Sequence, residues 1–240
     1  MTEVKLVRLS ASKLKMYQQC EKMYLARYLH GDKGINIWGI IGSAAHKAIE
    51  RHYREGSYIL PVFYQAVAQT IKPDMEGFEN AQQTQAVIAK GLESFDPSWY
   101  TPMVRDDKMQ LEKYFRLPYP DPINPICTLE GYIDMATEYG IVDFKTGKDI
   151  PSKKAVQSDL QFIIYYWAYE QLYGKSPEWI TYHRIRDNKQ ITGKNFDRTP
   201  LDTIIAKFLA DPMKYDMIQC DNCPFYCGVK HAQGSNYVTS

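Results

Sequence analysis

Two carboxylates and an amine stand close together in the stretch GYIDMATEYGIVDFKTG, as Asp134, Asp143 and Lys145. If IVDFKTG is extended, side chains alternate between faces, so Asp143 and Lys145 point one way while Val142 and Phe144 point the other. If the preceding segment pairs antiparallel across a turn at Glu138-Tyr139-Gly140, Asp134 lies on the neighbouring strand and faces the same cavity. Converging carboxylates suit a hard divalent cation such as Mg²⁺ or Mn²⁺. Such cations offset the charge that develops on a phosphodiester during hydrolysis. A lysine beside them can orient the attacking water, or help to deprotonate it if burial or cationic neighbours lower its pKa. The same residue types also make an ordinary cross-strand ion pair of little energetic weight. The surroundings therefore decide.

Downstream, QSDLQFIIYYWAYEQLYG sets Gln161 and Tyr165 at i and i+4, a polar edge beside an apolar stripe of Leu160, Ile163, Ile164 and Trp167. That edge can face a phosphate or the lysine. Upstream, His46 lies in GSAAHKAIE, where small residues permit close helix packing and an imidazole can add a metal ligand. Three of the five cysteines crowd into CDNCPFYC as Cys220, Cys223 and Cys227, while Cys20 and Cys127 stand apart. An odd count of this kind points to metal or cluster ligation rather than to a disulfide framework.

The elements that must position these groups can be read from periodicity. Ser10 or Ser12 caps a helix through KLKMYQQCEKMYLARYL that ends at Gly31, with Cys20 within or beside it. A second helix starts near Gly42-Ser43, carries His46, and closes at Gly56. Residues 60–96 read as mostly helical, with a break near Pro73-Asp74. From Met109 the pattern changes: QLEKYFRLPY reads as one strand and TLEGYIDMATEYGIVDFKTG as two more. An amphipathic helix from Val156 to Tyr173 follows, stopped by Gly174, then a strand ITYHRIR and a helix from Thr199-Pro200. The expected class is α/β. A single domain is expected over 1–240, with a helical insertion at about 60–105 and a cysteine-rich tail at about 212–240.

Composition sets the outer bounds. Apolar residues make up 45% and charged residues 24%, a balance able to bury a core. The net charge is +1, so a nucleic-acid surface must come from local clustering of Lys and Arg. No apolar run reaches the length of a membrane span and MTEVKLVRLS has no apolar signal core, so no membrane partner and a cytoplasmic location are expected. Nineteen tyrosines offer stacking surfaces for single-stranded bases, with Lys13, Lys15, Lys22 and Arg27 available to meet phosphates. No helix-turn-helix or finger-like reading element is visible.

Taken in order, LSASKLKMYQQC, GSAAH, GYID, DFKTGK and LQFIIYY resemble the RecB-like branch of the PD-(D/E)XK nucleases, which includes AddB-type nuclease domains and CRISPR-adaptation nucleases. The resemblance spans Leu9 to Cys227 and leaves 60–105 without motifs. It implies a restriction-endonuclease-like core, a mixed central β-sheet flanked by helices. It also implies metal binding by His46, Asp134, Asp143 and the Phe144 carbonyl, with Lys145 as catalytic lysine. Gln161 and Tyr165 match the family's glutamine-and-tyrosine helix motif, and Glu112 matches a frequent acidic position to which no role is attached.

In the resembling nucleases, a cysteine at the end of the first helix joins three in the tail around a 4Fe-4S cluster, and Cys20 matches that position. Such a centre would staple the N-terminal helix to the tail. The last cysteine gap is shorter here than is usual in the family, and structural Zn²⁺ on the same sulfurs, with His231 as another ligand, is the rival. Cys127 is expected to be a small buried hydrophobe. The activity implied is exonucleolytic hydrolysis at a free DNA end, for recombination or repair, and the compact chain without a helicase region suggests a phage source. Two alternatives are an adaptation-type nuclease that trims DNA beside a CRISPR integration partner, and a non-catalytic DNA-binding subunit. The latter would be expected to have lost an acid or the lysine.

Overall fold

The computed structural model describes residues 6–28, 37–73, 75 and 77–210. Its centre is a mixed sheet in the order β4 (Leu111–Tyr119), β5 (Cys127–Ala136), β6 (Gly140–Lys145), β7 (Trp179–Arg184), β8 (Lys189–Gly193). A short β1 (Arg8–Leu9) runs parallel to the start of β5. Leu129 pairs with Leu117 on one side and Leu9 on the other, while Met135 pairs with Leu111 on one side and Val142 on the other. Strands β1 and β6 therefore flank the same edge of β5 at opposite ends. The sheet is forked between them.

Two apolar layers cover the sheet. On one face Leu129, Ile133 and Ile141 pack with α1 (Ala11–Gln19), α7 (Leu160–Tyr173) and α8 (Thr199–Ala210), whose core members include Leu14, Trp167 and Ile205. On the other, Met135, Val142 and Phe144 pack with α3 (Ile37–Glu55), α4 (Ile59–Thr70) and α5 (Phe78–Glu93). The alternation of Val142 and Phe144 against Ile141 and Asp143 is what the strand period requires. The β5–β6 hairpin closes where Thr137 accepts from the Gly140 N–H, and a Cβ at Gly140 would lie 2.4 Å from the Trp179 ring.

Several expected elements are redrawn. The first helix is two: α1 ends on Cys20, whose backbone is extended at φ −164° and ψ 111°, and α2 (Glu21–Tyr28) begins at once. The helix expected from Val156 is also two, α6 (Lys153–Ser158) and α7, because Asp159 turns extended and its side chain accepts from the Gln161 N–H as an N-cap. Apolar period continues across both breaks, so periodicity alone shows neither. Helix α3 already includes Ile37, five residues before Gly42. The hairpin of β2 (Val104–Arg105) and β3 (Lys108–Met109) was not expected, and nor was β8. Their tight turns place Asp106, Asp107 and Asn188 at positive φ, which short polar residues tolerate best.

Helix α5 lies directly on the end of β7. A Cβ at Gly91 would sit 1.8 Å from the Ile185 carbonyl oxygen, so the helix can approach only without a side chain there. Gly91→Ala is expected to destabilise the protein by about 1–3 kcal/mol, read as a lower thermal midpoint. An unchanged midpoint would show that the helix can move off the strand end at little cost.

Candidate active site

The site lies at the fork. Beyond the last β5–β6 pair, Met135 with Val142, the Asp134 carboxylate reaches across and accepts the Phe144 N–H at 2.8 Å. A side chain thus replaces the ladder at the point where the strands part. Opposite Asp134 on β4, Glu112 has φ +45° within a strand, and the pairing passes from Leu111–Met135 to Lys113–Ile133 without a Glu112–Asp134 pair. A non-glycine residue in this left-handed region costs on the order of 1–3 kcal/mol. The conformation turns Leu111 to the α3–α5 layer while Phe115 stays with the α7 layer. It also holds the Glu112 carboxylate 3.3 Å from His46 Nδ1.

His46 comes from α3, where Ala44, Ala45 and Ala48 are buried and let the helix approach closely. Its Nδ1 is 3.5 Å from Asp134 Oδ2, and its Nε2 donates to the Phe144 carbonyl at 2.8 Å. Among the described residues, His46, Glu112 and Asp134 form the group of ligand atoms able to share one metal ion. As placed, the Phe144 carbonyl orients the imidazole, the task of an outer partner of a metal-binding histidine. Direct ligation by that carbonyl requires this hydrogen bond to give way.

Asp143 forms the second half of the site. Lys145 Nζ lies 2.9 Å from its Oδ1 and 2.7 Å from its Oδ2, and Gln161 Nε2 donates to Oδ1 at 3.1 Å. The same amide donates to the Tyr165 hydroxyl at 2.8 Å, so the i and i+4 pair on α7 faces the acid. Asp143 is fully buried, and its Oδ2 makes no well-directed hydrogen bond despite the nearby ammonium. A buried carboxylate oxygen with open lone pairs fits a cation, as does a donor set of three carboxylates and an imidazole. His46, Glu112 and Asp134 are the residues whose ligand atoms could hold it together, and Asp143 is the further carboxylate that could join them.

Electrostatics tie the halves together. Burial pushes the Asp143 carboxyl up to about 6 against the opposing pull of Lys145, and Asp134 adds to the rise. Burial likewise raises Asp134, although His46 and Lys145 oppose it. For His46 burial acts downward, but Asp134 and Glu112 overcome it and carry the imidazole up to about 9. Burial also pulls Lys145 down, yet Asp143 and Asp134 outweigh it and the pKa rises. The condition under which Lys145 would deprotonate water is thus reversed without a metal: the side chain is an ammonium, suited to orienting water and balancing charge.

Cys20 is partly exposed at the α1–α2 break, and Cys127 is buried with its thiol pushed up to about 11 by burial. Cys220, Cys223, Cys227 and His231 lie outside the described residues, as does the Lys22 side chain. Lys15 is not held free for phosphate, because it pairs with Asp159 at 2.6 Å. Lys13 donates to the Arg8 carbonyl and lies 3.8 Å from Glu130, while Arg27 is exposed. Asp159 escaped the sequence reading. It caps α7 and so sets the turn that carries Gln161, and only its place in an S-D-L-Q cap-like run hinted at this.

A forked sheet that brings an Asp, a D-x-K pair and an imidazole to one point is the framework of a metal-dependent phosphodiester hydrolase. A model of the PD-(D/E)XK nuclease superfamily matches residues 8–228. The chain belongs to this superfamily, and is accordingly a nuclease of the metal-dependent kind. No curated protein matches it. No helix among the described residues is long and apolar enough to cross a membrane.

Proposed function

We propose that this chain is a Mg²⁺- or Mn²⁺-dependent deoxyribonuclease that hydrolyses DNA from its ends, like the RecB-like nucleases it resembles, in the service of recombination or repair. The observation that carries this reading is the convergence of His46, Glu112 and Asp134 beside the Asp143–Lys145 pair, whose carboxylate is buried. A bound divalent cation supplies charge neutralisation at the phosphate and acidifies a bound water. In this reading His46, Glu112, Asp134 and Asp143 hold the cation. The Lys145 ammonium orients the water and steadies the phosphate, and Gln161, braced by Tyr165, fixes Asp143.

End-labelled and circular DNA incubated with Mg²⁺ or Mn²⁺ test the proposal. Short products from labelled linear DNA, with circles left intact, are expected. Cleavage of circles would overturn the end requirement, and no cleavage of any DNA by metal-loaded protein would overturn the enzyme.

The same resemblance supports a 4Fe-4S cluster on Cys20, Cys220, Cys223 and Cys227, and the helix break puts Cys20 at an element end rather than within a packed helix. Protein purified without oxygen is expected to be brown and to contain iron and sulfide. Cys20→Ser should make the centre labile and lower the thermal midpoint more than Cys127→Ser does. One equivalent of zinc with negligible iron would replace the cluster by a zinc staple and leave the nuclease reading intact.

A further inference from the structure

Next to the site, the sheet carries an aromatic pair that no other described element covers fully. Tyr114 on β4 and Tyr132 on β5 are register partners with ring centroids 5.0 Å apart, and they are 42% and 54% exposed. They stand two residues from Glu112 and Asp134 on the same strands, roughly 7 Å along each. Elsewhere on β5 the large apolar side chains Leu129, Ile133 and Met135 are all buried. Tyr132 is the exposed large side chain on this strand, and Tyr114 lies against it at the edge of a charged site.

The chemistry around the rings is cationic. Arg116 lies over the Tyr114 ring, 5.8 Å from its centroid. The neighbouring acid, Glu130, is neutralised by contacts with Arg116 at 3.3 Å, Lys13 at 3.8 Å and the Tyr114 hydroxyl at 3.2 Å. Along the edge of β4 away from β5, a groove of about 590 Å³ among the described residues holds Arg54, Arg105, Lys108 and Lys113 against Asp106 and Glu112, with Tyr114 in its wall and Arg54 itself paired with Glu50 at 2.8 Å. In a chain of net charge +1 this is a local excess of cations, and it ends at the candidate metal ligand Glu112. Aromatic faces beside backbone-binding cations are what an unpaired strand needs, because its bases are free to stack and its phosphates need neutralising. The bases of a duplex are already stacked on one another and offer no face to such rings.

We propose that Tyr114 and Tyr132 form a base-stacking platform that feeds a single-stranded end to the site, with phosphates held by the β4 groove. The substrate is then single-stranded DNA or the unpaired overhang of a duplex. This inference rests on the nuclease reading for what is fed, but not for the binding itself.

The test separates the two. Binding of a labelled oligothymidylate and of a blunt hairpin duplex is followed by fluorescence anisotropy with EDTA present, so no cleavage is needed. Wild-type protein should prefer the single strand. Tyr114→Ala and Tyr132→Ala should each weaken that binding by on the order of tenfold, and Phe at either position should restore it, since the ring and not the hydroxyl is required. A 2-aminopurine near the oligonucleotide end should lose fluorescence on binding wild type and much less on binding the double Ala variant. Mn²⁺ binding, measured by calorimetry, should be unchanged in every variant, which shows that the fold and the metal site are intact. Single-strand affinity unchanged in folded Ala variants, or equal preference for blunt duplex, would overturn the platform even if the protein cuts DNA. Loss of single-strand binding in a protein that cuts nothing would keep the platform and sink the nuclease.

Discussion

Asp143→Asn and Lys145→Ala are each expected to lose DNA cleavage while remaining folded. Asn keeps the shape of Asp143 and its contact with Gln161 but removes the charge that a hard cation needs. Ala at position 145 removes the ammonium that orients water and balances charge, and losing one such electrostatic donor costs about a hundredfold to a thousandfold in rate. Folding should survive because the metal-free carboxylate is a burden to the native state. Its pKa is raised by burial to about 6, above the unfolded value, so its stabilising share is present only at acid pH and is lost as pH rises through about 6. Removing the charge at neutral pH therefore need not lower the thermal midpoint. Removing Lys145 raises Asp143 further and favours its neutral form rather than an unpaired buried anion. Turnover of end-labelled DNA, with thermal melts as the folding control, is the measurement. Near-wild-type rates in either folded variant would end the assignment of this pair to the chemistry.

Metal affinity should climb steeply with pH. Without metal, the His46 imidazole holds its proton up to about pH 9, because Asp134 and Glu112 outweigh the opposing effect of burial. A cation bound there must displace that proton, so each unit of pH below about 9 weakens apparent binding by about tenfold. Below about pH 6 a second proton, on Asp143, must also leave, and the slope should steepen. Above about pH 9 it should flatten. Calorimetric titration with Mn²⁺ in two buffers of different ionisation enthalpy should show about one proton released per metal at neutral pH. His46→Gln, which cannot titrate, should bind more weakly at high pH and with a shallower slope. A wild-type affinity constant across neutral and mildly alkaline pH would mean that His46 does not share the metal.

The acid and lysine pair was legible in the sequence because alternation along a strand is a local property. Once IVDFK is extended, Asp143 and Lys145 must share a face, and the Gly140 turn must return Asp134 towards them. The i and i+4 spacing of Gln161 and Tyr165 likewise needed only a helix. Where local side-chain chemistry competed with period, the reading failed. Asp159 breaks a helix whose apolar stripe runs on, and another ends at the extended backbone of Cys20. Only the tertiary structure decided what Glu112 does, because its carboxylate reaches His46 through a left-handed backbone that no strand pattern encodes. Only the tertiary structure decided the charge of Lys145, since a pKa is set by the balance of burial against every neighbouring charge. His46 reaches the Phe144 carbonyl from α3, and Gln161 reaches Asp143 from α7, because the two helices pack on opposite faces of a forked sheet. Contacts between such distant parts of the chain follow from how layers pack, and a residue's immediate neighbours in sequence hold no record of them.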